Sequence, residues 1–82
     1  MMKLKDYKAW LLEHGEITEE YECPYNPYID PPEYKEGSYF VGYNFFRSNG
    51  ELYASFAVRD VTAEVCYQFL YNEYKELFER GF

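Results

Sequence analysis

Two cysteines and one histidine are the residues of this chain best suited to nucleophilic or metal chemistry. Cys23 and Cys66 lie far apart and match neither a zinc spacing nor a Cys-x-x-Cys redox motif. A cysteine nucleophile needs an adjacent base, and a transition-metal site needs several organised ligands, whereas His14 has neither a second histidine nor a cysteine pair beside it. We therefore expect no metal, no cofactor and two reduced thiols, with His14 in the last turn of a helix.

Carboxylates are the other groups that could do chemistry, and the chain has fifteen of them among 82 residues. Paired carboxylates can hydrolyse glycosidic bonds, but a domain of this size rarely frames a deep cleft. The sequence also contains no phosphate-binding glycine loop and no Gly-x-Ser-x-Gly motif. We therefore expect a protein that is not an enzyme.

The acidic residues are concentrated in one segment. Residues 13–36 contain eight acidic residues and one lysine, so they account for the whole net charge of −7. Tyrosines are interleaved with the acids, which favours a recognition surface for a basic protein through electrostatic steering and aromatic anchoring. The predicted partner-binding residues are Glu16, Glu19, Glu20, Glu22, Tyr25, Tyr28, Asp30, Glu33, Tyr34 and Glu36. The alternative interpretation is a solvated loop whose charge maintains solubility.

The charge also argues against direct nucleic-acid binding, because affinity for phosphate depends on lysine and arginine. Lys3, Lys5 and Lys8 are expected to form a solvated helix face. The chain has neither a run of 18 apolar residues nor a secretory leader pattern, so we expect no membrane association and a cytoplasmic location.

Hydrophobic periodicity predicts the elements that would position these residues. A helix is predicted over Lys3–His14, followed by a short strand or a helical turn over Ile17–Cys23. All four prolines fall within Cys23–Gly37, which predicts an ordered or semi-ordered loop. A second helix is predicted over Val61–Arg80, with Asp60 or Thr62 as its cap.

Between loop and second helix, Tyr39–Phe46 and Leu52–Arg59 flank Asn49-Gly50, the preferred pair for a two-residue type I′ turn. This register places six residues on one buried face: Val41, Tyr43, Phe45, Ala54, Phe56 and Val58. The opposite face would expose Phe40, Phe46 and Tyr53, which would permit a homodimer. The sequence thus predicts a single α+β domain over 1–82, in the order α-β-β-β-α, with both helices on one face of a three-stranded antiparallel sheet.

Pro31-Pro32-Glu33-Tyr34 matches the Pro-Pro-x-Tyr pattern and so resembles the ligands of WW domains, which bind a polyproline II segment. The alternative is that Tyr34 packs on the sheet.

The small size, the α-β-β-β-α order and the acidic stretch Glu13–Glu36 together resemble small phage proteins of the anti-CRISPR type, some of which mimic DNA. The resemblance implies an inhibitor that occupies a basic nucleic-acid-binding surface of a host effector in the host cytoplasm. The alternative function is a general interaction module, such as a toxin-immunity or adaptor protein, that binds through the exposed aromatic face of the hairpin.

Overall fold

A computed structural model describes residues 2–47 and 49–80. The chain forms helix α1 (Leu4–His14), strand β1 (Gly15–Cys23), a short 3₁₀ turn (Pro32–Tyr34), strands β2 (Ser38–Phe46) and β3 (Leu52–Asp60), and helix α2 (Ala63–Glu79). The predicted α+β class and element order are confirmed. Thr62 caps α2 by accepting a hydrogen bond from the backbone N–H of Val65.

The three strands form one antiparallel sheet in the order β1-β2-β3, so β1 and β3 are its two edges. The segment after α1 is a strand and not a helical turn, and its register shifts between Ile17 and Glu19. This bulge explains why the apolar alternation of the segment is interrupted at Glu19. Gly15 begins β1 directly after α1, and a Cβ there would collide with the Asn44 carbonyl oxygen.

The core lies between one face of the sheet and the two helices. Val41, Tyr43 and Phe45 on β2 are fully buried, as predicted. Tyr43 reaches both helices, because its hydroxyl donates to the Leu11 carbonyl at 2.6 Å and its ring packs on Tyr74. Both helices therefore cover the same face of β2.

The prediction that Ala54, Phe56 and Val58 on β3 are buried with the three β2 residues is wrong. Ala54 and Val58 are only half-buried, and Phe56 is 42% exposed although its ring contacts Tyr74 at 4.8 Å. The pairing itself is as predicted, with Val41 opposite Val58 and Tyr43 opposite Phe56. The difference arises because β3 is an edge strand, and α2 does not extend far enough to cover it fully.

The predicted two-residue turn is also wrong. The Arg47 N–H donates to the Glu51 carbonyl, and the Gly50 N–H donates to the Arg47 carbonyl, so three residues separate the paired positions. One of the three, Ser48, lies outside the described residues. Gly50 has a φ of +88°, the left-handed conformation that closes such a loop. A register shift between Phe45 and Phe46 then restores the predicted pairing.

Candidate functional site

The loop that links β1 to β2 is fastened to the sheet by Arg59. Arg59 lies on β3 next to Val58 and therefore points to the face opposite the helices. Its guanidinium donates two hydrogen bonds to the Asp30 carboxylate, at 2.8 and 2.9 Å, and one to the Ser38 hydroxyl at 2.7 Å. The Tyr34 ring packs 4.8 Å from the guanidinium carbon, and the Tyr34 hydroxyl donates to the Arg59 carbonyl. One arginine thus holds three parts of the loop and strand together, and we call this arrangement the Arg59 latch.

The latch also orders the tip of the loop. The Asp30 carboxylate accepts the Asn26 N–H at 2.9 Å, while the Asn26 carbonyl accepts the Asp30 N–H at 2.8 Å. The Asn26 side chain accepts the Tyr28 N–H, which makes an Asx turn. Asp30 is itself buried, at 9% exposure. The hydrogen bonds from Arg59, and then the one from Asn26, hold the pKa of this carboxyl below its ordinary value.

Two large apolar side chains lie at this ordered tip and face solvent. Tyr28 is 93% exposed and Ile29 is 77% exposed. Large apolar side chains are usually buried, and neighbouring ones that are exposed mark interaction sites. The turn begins at Asn26 and ends at Asp30, and two hydrogen bonds join these residues. The backbone that carries Tyr28 and Ile29 is therefore fixed.

Five of the predicted acidic residues are exposed carboxylates on β1 and in this loop, and none of them makes a hydrogen bond or ion pair within residues 2–47 and 49–80. They are Glu16, Glu19 and Glu22 on β1, and Glu33 and Glu36 in the loop. Their negative charge is therefore not neutralised by the rest of the described chain. Tyr25 is half-buried beside them.

Glu20 has a different role, since it points to the helix side of β1. Its carboxylate accepts hydrogen bonds from the hydroxyls of Tyr67 and Tyr39 and from the ammonium of Lys8, the last at 2.9 Å. The Tyr67 hydrogen bond, followed by that from Lys8, lowers the pKa of Glu20. Glu20 therefore joins β1 to both helices. Among the ten predicted site residues, Glu20, Asp30 and Tyr34 serve internal contacts, Tyr25 is half-buried, and the other six are exposed.

The Pro-Pro-x-Tyr segment does not present its tyrosine to a partner. Pro32–Tyr34 forms a 3₁₀ turn, and Tyr34 is half-buried against Arg59. This agrees with the alternative interpretation, in which Tyr34 packs on the sheet.

The histidine and the cysteines are each occupied by structural contacts. The His14 ring stacks on Trp10 with 4.1 Å between ring centroids, and its Nδ1 donates to the Trp10 carbonyl. The buried Cys66 thiol donates to the Tyr39 carbonyl, and burial raises its pKa. Both cysteines are free thiols, as predicted.

Two open depressions lie on the surface, one beside the two ends of the loop and one away from it. The first, of about 510 Å³, is lined by Glu22, Cys23, Glu36, Tyr39 and Thr62 among others, and lies at the start of α2. The second, of about 550 Å³, is lined by His14, Arg47 and Phe78 among others. In the described part of the chain, no group of three or more histidine, cysteine or acidic side chains is placed to hold a metal ion.

Comparisons with known proteins do not extend this description. No protein-family model, curated protein or solved structure matches the chain. In the ranges 2–47 and 49–80, neither helix has the length and apolar character needed to cross a membrane.

Sequence reasoning missed Ile29 and Arg59. Ile29 was overlooked because a single apolar residue in a proline-rich loop has no periodicity to interpret. Arg59 was assigned to the exposed hairpin face, and its carboxylate partner lies 29 residues away in sequence. The available signal was Asn26 and Asp30 in the same loop, a pair typical of turns closed by side chains.

Proposed function

We propose that this chain is a protein-binding module that docks through its β1–β2 loop, with Tyr28 and Ile29 as anchors and the neighbouring glutamates selecting a basic partner. The observation that carries the proposal is the exposure of Tyr28 and Ile29, at 93% and 77%, on a loop fixed by Asp30 and Arg59. A tyrosine ring can bury about 150 to 250 Å² on contact, and tyrosine is enriched among residues that dominate binding energy.

The order of the loop supports this use. A flexible loop loses conformational entropy when it binds, at about 0.5 to 1.5 kcal/mol for each immobilised side chain, in addition to the cost of ordering the backbone. The Arg59 latch and the Asx turn at Asn26 order the loop backbone during folding, so that entropy is not lost again on binding. The free energy gained by burying Tyr28 and Ile29 is then available for affinity.

The exposed carboxylates define the class of partner. Three of them, Glu16, Glu19 and Glu22, lie along β1, and Glu33 and Glu36 lie in the loop; none has an ion pair in the described chain. A basic surface is attracted to them, and the strongest such surfaces on proteins are those that normally hold nucleic acid. The chain would then act as an inhibitor that competes with nucleic acid, like the small acidic phage proteins that it resembles.

The test measures binding to a panel of nucleic-acid-binding effector proteins, with and without competing duplex DNA. In a complex found this way, Tyr28→Ala combined with Ile29→Ala should weaken affinity by about 30-fold or more, as expected for loss of about 2 kcal/mol at an anchor. Leu12→Ala is the matched control, because Leu12 is a 55% exposed apolar residue on α1. Equal affinities for the double variant and the control would contradict docking through the loop.

A second variant separates the charge from the anchors. Replacing Glu16, Glu19 and Glu22 with glutamine should slow association and flatten its salt dependence, with a small effect on dissociation. Glu20 is retained, because its bonds to Tyr67 and Lys8 support the fold. Binding that is insensitive to both this variant and the DNA competitor would rule out a nucleic-acid-binding surface as the target.

A further inference from the structure

The outer edge of β3 is separate from the loop and has no neighbouring strand in the described chain. Strand β3 is nine residues long, and within the described chain its one neighbouring strand is β2. Its other edge is about 30 Å long, and near its end the Arg59 carbonyl already accepts a hydrogen bond from the Tyr34 hydroxyl. From Leu52 to Val58 this strand contains no charged residue and no proline.

The two edges of the sheet differ in their protection against pairing. Proteins protect edge strands with charges, prolines or bulges, because an unprotected edge pairs with other chains. Each edge strand has one bulge, after Ile17 on β1 and at Tyr53 on β3, so the two edges differ in charge. Strand β1 carries Glu16, Glu19, Glu20 and Glu22, whereas the run 52–58 of β3 has no charged residue, and this contrast favours pairing at β3.

Exposed apolar side chains lie beside the β3 edge, on both β3 and the neighbouring side of α2. Phe56 lies on the helix side of β3 and is 42% exposed. On α2, Leu70 faces the sheet, and Tyr71, about 100° further round the helix, faces Trp10 on α1. Phe69 is about 100° from Leu70 in the opposite direction, so it lies on the side of α2 that faces β3. Phe69 is 50% exposed, and Val65, one turn earlier on this flank, is 36% exposed.

We propose that the β3 edge is the interface of a homodimer, in which the β3 strands of two copies pair antiparallel about a twofold axis to form a six-stranded sheet. Phe56, Val65 and Phe69 of each copy are then covered above the joined strands. A patch about 30 Å long and two layers deep, at about 10 Å for each layer, measures about 600 Å² per copy, close to the roughly 800 Å² of standard interfaces.

Charge explains why a second copy is the suitable occupant despite the net charge of −7. The acidic edge β1 and the uncharged edge β3 lie on opposite sides of the sheet. In the dimer, the two β1 strands are five strand spacings apart, or about 24 Å, whereas the screening length at physiological salt is about 8 Å. Pairing β3 with β1 of another copy would build an open filament, and the glutamates of β1 oppose it.

The test is the mass in solution of the full chain, measured by sedimentation equilibrium over a concentration series. The wild-type chain should have twice the 9.9 kDa monomer mass, and Phe69→Lys should convert it to a monomer. Leu12→Lys is the matched control, because it adds the same charge at an apolar residue of similar exposure (55%), and it should stay dimeric. Circular dichroism melts of both variants confirm that each is folded.

Amide exchange gives a second readout that does not depend on a substitution. Protection over Leu52–Asp60 should rise with protein concentration in the wild-type chain, while that over Gly15–Cys23 should not. A chain that stays monomeric up to about 1 mM overturns the proposal. A dimer that persists in folded Phe69→Lys, or that Leu12→Lys dissociates, also overturns it.

Discussion

At the scale of single residues, Arg59 connects folding to the proposed docking loop. Its guanidinium contacts Asp30, Ser38 and Tyr34 at once, and it is less than one-third exposed. Arginine suits this position because its planar donors match a carboxylate in a bidentate pair, which lysine cannot do. Arg59 therefore fixes the backbone that exposes Tyr28 and Ile29, although its described contacts are with other residues.

Replacing Asp30 with asparagine should loosen the loop without unfolding the domain. The variant loses the bidentate ion pair with Arg59, so amides over residues 24–37 should exchange faster, while those of α2 keep their protection. Glu33→Gln is the matched control, since Glu33 is an exposed acid of the same loop without an ion pair in the described chain, and it should leave exchange unchanged. Unchanged loop protection in Asp30→Asn would show that the latch does not order the loop.

Glu20 should make stability depend on pH in the acid range. Its pKa in the folded chain is below the ordinary value of 4.5, so its contribution is present above about pH 4.5 and is lost as pH falls through the lower folded value. The melting temperature of Glu20→Gln should therefore lie below that of wild type at neutral pH, and the difference should shrink as the pH falls below 4.5. Glu13→Gln, at an exposed acid, is the control. A difference that stays constant over this range would contradict the assignment.

At the scale of elements, the two strands of the hairpin are not equivalent although their sequences are equally apolar. Strand β2 is central and lies under both helices, whereas β3 is an edge strand that α2 only partly covers. The same kind of side chain therefore contributes differently to stability on the two strands.

Truncating one phenylalanine on each strand measures this difference. Phe45 is fully buried and stacks on Tyr74 at 4.7 Å, so Phe45→Ala should cost about 3 to 5 kcal/mol in the free energy of unfolding. The Phe56 side chain is 42% exposed, so Phe56→Ala should lower the free energy of unfolding by about half as much or less. Urea denaturation of both variants at low concentration, where monomers dominate, provides the comparison. Equal losses would place Phe56 in the core.

At the scale of the whole molecule, charge and apolar surface are separated. The exposed acids of the candidate site lie on β1 and the loop, and the charge-free run 52–58 lies on β3. Separation of this kind lets one small domain offer two surfaces with different chemistry, one steered by charge and one closed by strand pairing.

The crowding of negative charge should reduce stability slightly, and salt should reveal it. The chain with Glu16, Glu19 and Glu22 replaced by glutamine should be more stable than wild type at low ionic strength, by on the order of 0.5 kcal/mol, because repulsion among nearby carboxylates is relieved. The difference should close as salt is added, since screening relieves the same repulsion in wild type. Thermal melts from low to high salt test this. A difference that is independent of salt would indicate an effect of the substitutions other than charge.

The sequence by itself determined the features that depend on local pattern. A period of 3.6 or 2 residues is a property of neighbouring residues, so the two helices, the three strands and the pairing of Val41 with Val58 could be predicted. The confinement of the net charge to residues 13–36 and the concentration of the prolines in one loop are likewise features of the sequence alone.

Only the tertiary structure decided which of these residues are free to bind. Asp30 and Arg59 are 29 residues apart in sequence, and Glu20 and Tyr67 are 47 apart, so their pairing depends on the path of the loop and the position of α2. Phe56 is exposed because α2 covers the edge strand β3 only in part, and the periodicity of the sequence does not show how far a helix covers a sheet. Burial and charge pairing are therefore set by contacts between distant segments, whereas the type and order of the elements are set by neighbours.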